Sequence, residues 1–494
     1  MSYKVSCVSI DLINADKPPA SLAFMAGACE SAEVDYQCFS LNSMLAEYTS
    51  KSQYNQLYSD VKLEQLHKSF SIIEPVILNI IDQIQKFNTE LILVSVFSYM
   101  QKHLSEFFLT KIKNICPDIE ILAGGPGVGA TVQGKTIGKH LAEQSLLDFY
   151  CLGEGDEILV NFLKGNKQQL GLNSKTDSYE SWVPQIDNLD QCSVIPSYKK
   201  IKLNRYHNLE AKNSAVFSLS TSRGCVRACS FCDIGKIWKK FRFRSGAHVV
   251  SEILKHHREV GAVHFTIVDS LINGSLKSFR EFNSEMVKLK SKYSSLQDFS
   301  YNGMFIVRNR QSHPEQLFAD MSAAGCDSLA IGVETGSDRL RYDMNKKFTN
   351  EDLDYHLEMC QKYKIRNFFL TFVGYATETR EDFEQTLLML ERYQKYLLDD
   401  TIVGINHSGV FGLLPDTPAY DHRAEIGIEI IDDADATKIN WINHNNPTLT
   451  IKERILRDLE FRKKALELRY PIPYATRYLE YLSKINPDFV PQSD

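Results

Sequence analysis

Short apolar runs alternate with amphipathic stretches along most of this chain. Val5–Ile10, Leu91–Phe97 and Ile119–Ala123 have the length and composition of strands buried on both faces. A helical stretch around Leu22–Ala28 separates the first strand from Tyr36–Leu41, and Phe149–Leu152 reads as a last strand. Between them, Ala123-Gly124-Gly125-Pro126-Gly127-Val128-Gly129-Ala130 is a glycine-rich break, and Gly153-Glu154-Gly155-Asp156-Glu157 follows the last strand. The pattern predicts an open, doubly wound α/β domain over residues 1–165, with ligands at the carboxyl ends of its strands.

The pattern changes over 166–213, which is polar and rich in Asn, Gln, Ser and Asp, and reads as a linker. Its Ile195-Pro196-Ser197-Tyr198 is expected to dock on the next domain. Alternation resumes at 214, with strands expected at Ala215–Ser220, Val263–Val268, Tyr301–Val307, Ser328–Val333, Asn367–Val373 and Ile402–Asn406. Phe279, Phe282, Met286 and Leu289 give Lys277–Tyr293 one apolar helical face. Thr349 with Asp352, and Thr379 with Asp382, have the spacing of helix-opening capping boxes. Six strands with helices between them predict a partial parallel (β/α)6 TIM-type barrel over 214–406, with its chemistry at the carboxyl strand ends. Residues 407–494 read as a small extension covering the barrel. Its helical stretch is Leu456–Leu468, interrupted by Pro471 and Pro473.

Composition narrows the function classes. The 494 residues carry a net charge of −6, which gives no electrostatic reason to expect nucleic acid or an anionic membrane. No apolar run is long enough to span a bilayer, and the first residues lack a signal-peptide pattern. Eight of the eleven cysteines sit singly, unlike a secreted disulfide framework. A cytoplasmic, reducing location is expected.

The other three cysteines carry the chemistry. Thr221-Ser222-Arg223-Gly224-Cys225-Val226-Arg227-Ala228-Cys229-Ser230-Phe231-Cys232 contains a CxxxCxxC spacing at the end of the first barrel strand. Three thiolates suit three irons of a 4Fe–4S cube and leave one iron open to chelate a small molecule. A structural zinc site normally takes four ligands, and no second cysteine pair is present; His248 is a distant fourth candidate. A metal-stabilised binding scaffold is the non-enzyme alternative.

Other strand ends carry polar residues. Asp269 ends a strand and either faces a polar pocket or caps a loop. Glu334, flanked by glycines in Ile331-Gly332-Val333-Glu334-Thr335-Gly336, suits a ribose hydroxyl or an ammonium group, or a structural salt bridge. Arg308 ends the third strand and suits a carboxylate or an internal ion pair. Trp238-Lys239-Lys240-Phe241-Arg242-Phe243-Arg244-Ser245 interleaves bases with aromatics, a pattern also found on single-strand binders, but eight residues make no binding face on an acidic protein.

The triad, with its aromatic before the last cysteine, resembles the signature of radical S-adenosylmethionine enzymes. That resemblance implies S-adenosylmethionine on the open iron, with Phe231 near its adenine. It also implies an electron donor such as a flavodoxin or ferredoxin, and a small-molecule or peptide substrate. Ile331–Ser337 with Met344-Asn345-Lys346-Lys347 resembles the cobalamin-carrying subgroup, where the matching segment lines the S-adenosylmethionine pocket. Phe372-Val373-Gly374-Tyr375-Ala376-Thr377-Glu378-Thr379 stands where the family has a glycine–proline–glutamate turn, and departs from it at Tyr375 and Ala376. Lys17–Ala23, the Gly124-Gly125-Pro126 loop and Gly153–Glu157 resemble the Rossmann-like cobalamin domain of class B radical methylases. The resemblance implies cobalamin contacts at Gly124, Gly125, Gly153 and Glu154, and methyl transfer to an unactivated carbon. A radical rearrangement, cyclisation or oxidation without cobalamin is the alternative. Methylthio transfer is disfavoured, since those enzymes resemble a chain with a second cysteine triad. The cobalt-ligating D-x-H-x-x-G pattern is absent, and Asp354-Tyr355-His356 lacks the glycine.

Overall fold

The computed structural model describes residues 3–10, 17–62, 66–132, 135–206, 215–432 and 438–472. Pro473, the rest of the expected extension, and the last residues of the expected linker lie outside them. The chain divides into two compact units, residues 1–219 with 248–266, and residues 220–247 with 267–494.

The first unit holds a six-stranded sheet of β1 (Lys4–Ser9), β2 (Asp35–Ser40), β3 (Leu91–Ser95), β4 (Glu120–Gly124), β5 (Phe149–Cys151) and β6 (Leu172–Asn173). Its order is β2-β1-β3-β4-β5-β6. The first five strands pair in parallel, as apolar runs buried on both faces should. The order reverses between β1 and β3, which makes this a doubly wound sheet with a switch point there. Ile73, Ile77, Ile80 and Ile84 line one face of the helix Phe70–Lys86 and pack into the core with Ile92, Val94 and Phe108.

Part of the stretch read as a linker adds the edge strand β6, antiparallel to β5. Asn173, buried, explains why so polar a segment is ordered. It donates to the carbonyls of Gly171 and Ser181 and accepts from the Ser181 N–H, at 3.1, 2.9 and 2.7 Å. Further on, the Ser197 N–H donates to the Ala23 carbonyl at 2.8 Å and the Tyr198 hydroxyl to the Ser218 carbonyl at 2.9 Å.

The second sheet comprises β7 (Val216–Leu219), β8 (His264–Ile267), β9 (Ser300–Phe305), β10 (Cys326–Glu334), β11 (Arg366–Val373) and β12 (Ile402–Val410). Its order, β12-β11-β10-β9-β8-β7, is sequential and open. The pairs from β9 to β12 are parallel. Both expected capping boxes form, opening the helices Asn350–Tyr363 and Arg380–Tyr393. In the extension, the helix is Ile451–Glu467 and starts earlier than its apolar pattern suggests. Thr450 accepts from the Glu453 N–H and opens it ahead of the first periodic residue. Among the described residues no helix is long and apolar enough to cross a membrane.

Candidate functional site

The loop after β7 leaves the sheet at Ser220 and is braced at once. Asp269, buried, accepts from the Thr221 N–H at 2.9 Å, the Ser222 hydroxyl at 2.9 Å and the Ser220 hydroxyl at 3.2 Å, and also from the Thr221 hydroxyl. Burial pushes its carboxyl up to about 6 against these donors. Both oxygens are committed to holding the loop. The chain returns as Arg242–Phe243, antiparallel to Ser222–Arg223. Arg242 is buried and Arg244 donates to the Ser220 carbonyl at 2.7 Å, so two bases of the basic–aromatic stretch serve the loop itself.

Between these ends stand Cys225, Cys229 and Cys232, all half-buried and unbridged. Each thiol is pushed up, by burial first. A neighbouring thiol of the triad adds to this in every case, and Lys346 opposes it in every case. The three sulfurs therefore share one neighbourhood under a common cation. Among the described residues no three Cys, His, Asp or Glu side chains form a ready-made site for a single ion. The loop is anchored from three directions. The Ser230 N–H donates to the Met344 carbonyl at 3.1 Å, and the Ala419 N–H to the Ser230 carbonyl at 2.7 Å. Ser230 and Tyr375 share a 2.7 Å hydroxyl contact.

Glu334 ends β10 in a left-handed conformation, φ 62°, where the pairing with β11 shifts register. Such backbone is costly for a residue with a side chain and is kept where position matters. The carboxylate is buried and bonds the Lys346 ammonium at 2.9 Å. Gly332 leaves room for this pair, because a Cβ there would press on Oε1 of Glu334 and lie 2.6 Å from Nζ of Lys346, so both side-chain ends would have to shift. Phe231 lies edge-on to Phe372, centroids 5.1 Å apart, with the Lys346 ammonium 5.7 Å from its centroid. It borders an apolar cluster of Met344, Phe372, Tyr375, Phe411 and Trp441. Glu378 turns inward instead. It accepts from the Gly374 N–H at 2.8 Å and pairs with Arg457 at 3.0 Å, so it stabilises the turn that carries Tyr375.

Arg308, after β9, reaches the Asn273 carbonyl with one long contact of 3.4 Å. Its Nε and that of Arg227 are buried without partners. The structure thus gathers Cys225, Cys229, Cys232, Phe231, Glu334 and Arg308 in one unit with Lys346, Arg227 and Tyr375. Those last three were not foreseen as site residues. Lys346 and Tyr375 stood in segments already singled out. Arg227 stood between the cysteines, and a charge inside an otherwise small-residue loop was its only signal.

The glycine-rich elements of the first unit look different. Gly125 has φ 101°, and a Cβ there would lie 2.5 Å from the Val96 carbonyl oxygen. A Cβ at Gly127 would lie 2.7 Å from the Ser98 nitrogen. Both glycines let the loop pass close to the backbone after β3. Gly124 faces open space, and Phe97, Tyr99 and Met100 after β3 are exposed. Gly153 packs on Val183, and buried Glu154 accepts from the Ile186 N–H at 2.8 Å. His356, of the partial cobalt motif, is buried in a helix, 3.0 Å from Asn367, and burial lowers its pKa to about 4.

Residues 219–390 match the family model described as the radical SAM superfamily. The chain is 25% identical over 315 residues to an uncharacterised methyltransferase of Pyrococcus horikoshii, covering 62% of this chain and 64% of that one. It is 26% identical over 386 residues to the anaerobic magnesium-protoporphyrin IX monomethyl ester cyclase of Cereibacter sphaeroides, covering 75% of this chain and 58% of the relative. The chain therefore spans less than two thirds of either relative's length. Its fold is similar to that of the cobalamin-dependent S-adenosylmethionine radical enzyme OxsB with aqua-cobalamin and S-adenosylmethionine bound. The TM-score is 0.65 at 16% identity, over 98% of this chain and 71% of that chain.

Proposed function

We propose that this chain, whose residues 219–390 match the radical SAM superfamily model, is an enzyme that methylates an unactivated carbon of its substrate. On this reading Cys225, Cys229 and Cys232 hold a 4Fe–4S cluster, S-adenosylmethionine binds beside it, and the first unit holds a corrinoid. The observation that carries the reading is the triad itself: three thiols in one neighbourhood, on a braced loop after a barrel strand. Three sulfur donors with no fourth suit a cube with one open iron. When bound, the cluster would supply one electron to the sulfonium of S-adenosylmethionine, and the corrinoid would supply the methyl group.

The chain's own residues bind, orient and exclude water. Glu334 and Lys346 present an anion beside a cation, the complement of an amino-acid zwitterion, and their contact at 2.9 Å prepays their mutual orientation. Phe231, Phe372 and the apolar cluster behind them form a dry wall. Asp269 and Tyr375 position the loop rather than touch a ligand. In the first unit, Gly124 leaves open space at a strand end, with exposed Phe97, Tyr99 and Met100 nearby in sequence, which suits a broad, flat ligand. Gly153 and Glu154 are engaged by the 183–186 segment. That engagement favours the second reading, a radical cyclisation or oxidation without a corrinoid, in line with the printed activity of the Cereibacter relative.

Anaerobic reconstitution with a cobalamin supply separates the two. Methyl transfer expects about four irons and about one cobalt per chain after gel filtration, with 5′-deoxyadenosine released under a strong reductant. Full iron with background cobalt would move the function to the second reading. Stoichiometric zinc without iron would end both.

A further inference from the structure

The basic–aromatic stretch after the cysteines is only partly spent on the cysteine loop. Trp238 turns inward, with the guanidinium groups of Arg223 and Arg242 over its ring, 5.9 and 5.4 Å from the centroid. Phe241 packs inward as well, since a Cβ on Gly274 would lie 2.4 Å from its ring. The stretch lies directly on the loop. A Cβ on Gly224, the residue before Cys225, would lie 2.8 Å from the Lys240 carbonyl oxygen and 3.2 Å from Cβ of Trp238. The residues around these anchors face out. Ile237 and Phe243 are 47% and 45% exposed, and Lys239 and Lys240 are exposed. Val226, next to Cys225, is 43% exposed. Bracing of the loop accounts for Trp238, Phe241 and Arg242. It does not account for three exposed apolar side chains and two exposed lysines on the loop and the segment paired with it.

Charge indicates the partner. From Arg223 to Arg244 the chain holds seven Lys or Arg and one acid, Asp233, in a protein of net charge −6. Lys236 is answered by Asp421 at 2.9 Å, and Lys239 and Lys240 carry positive charge on the outer side. A local positive face on an acidic chain steers an acidic partner and makes the encounter depend on salt. A few apolar side chains rimmed by lysines match a small, transient contact, the size class of electron-transfer complexes. Position supplies the rest. The face begins beside Cys225, and on the reading above the cluster gives up one electron and must regain it. We propose that Val226, Ile237, Lys239, Lys240 and Phe243 form the docking face for a small acidic one-electron carrier protein. No bond is made or broken in this step: the carrier is oxidised by one electron and the cluster is reduced by one. The inference rests on the reading of the triad as a 4Fe–4S site.

The test is calorimetric titration of a flavodoxin, as the acidic carrier, into reconstituted protein at low salt. It is paired with 5′-deoxyadenosine release driven either by the reduced flavodoxin or by dithionite. Binding should weaken about tenfold or more in the double variant Lys239→Glu with Lys240→Glu, and added salt should weaken it in the wild type. Ile237→Ser should weaken binding without changing its salt dependence. Flavodoxin-driven release should fall with binding, whereas iron content and dithionite-driven release should match the wild type. Equal affinity in the double variant, or no flavodoxin binding to the wild type, would overturn the proposal. Equal losses with both reductants would place these lysines in the reaction site itself and overturn it too. Wild-type dimers in gel filtration that Ile237→Ser breaks would assign the face to a second copy of the chain, with the same consequence. Failure of the underlying reading shows separately, as wild-type protein that takes up no iron.

Discussion

The strand-end loops of the two units use their special residues in opposite ways. In the first unit, Gly125, Gly127 and Gly153 are consumed by internal packing, against Val96, Ser98 and Val183. In the second, packing falls to Asp269, Ser230, Tyr375 and Glu378, while Glu334 sits on strained backbone and Arg227 and Arg308 keep buried donors unanswered. A glycine-rich strand end is a statement about backbone clearance. A site is marked instead by polar groups that the fold positions but leaves unsatisfied.

That contrast can be broken by substitution. The largest effect is expected from replacing Cys225, Cys229 and Cys232 together by Ala, which should abolish iron binding. Cys151→Ala, in the first unit, should leave iron unchanged by elemental analysis. Next, Glu334→Gln should lower S-adenosylmethionine affinity about tenfold to hundredfold, one charge-assisted hydrogen bond, with iron content intact. Equal affinity in equilibrium dialysis would make the Glu334–Lys346 pair purely structural.

Gly125→Ala sharpens the other side of the comparison. It forces a side chain to φ 101° and into the Val96 carbonyl, so it should destabilise the first unit by about 1–3 kcal/mol in denaturant melts. Gly124→Ala should leave the melts alone and lower cobalt retention, since it fills open space.

Much of the fold was legible because it rests on local signals. Apolar run length gave the parallel strands, and the Thr–x–x–Asp spacing gave the starts of two helices. The cysteine spacing marked the loop because its ligands are close in sequence. Partners distant in sequence were not legible. Asp269 takes its donors from residues 47–49 positions upstream, so a pocket carboxylate and a loop brace look alike in the chain. The polar 166–213 stretch hid an edge strand, because its order depends on Asn173 bonding to backbone rather than on apolar periodicity.

A smaller effect concerns pH. The Asp269 carboxyl, raised to about 6 in the fold from an ordinary 3.8, binds more protons folded than unfolded between those values. Its contribution is fullest below about 4 and is lost as pH rises through about 6. Asp269→Asn should flatten the thermal midpoint over that window relative to wild type; parallel curves would show that the carboxyl titrates normally. Smallest of all, Tyr375→Phe removes one hydroxyl contact with Ser230 and should cost about 1 kcal/mol of stability.

The central claim is a cluster with one iron open to S-adenosylmethionine on the Cys225–Cys232 loop, and electron paramagnetic resonance of the reduced, reconstituted protein tests it most directly. A four-iron signal that changes on adding S-adenosylmethionine, and is absent from the triple alanine variant, is the predicted result. A signal that survives loss of the three cysteines, or is indifferent to S-adenosylmethionine, would contradict it.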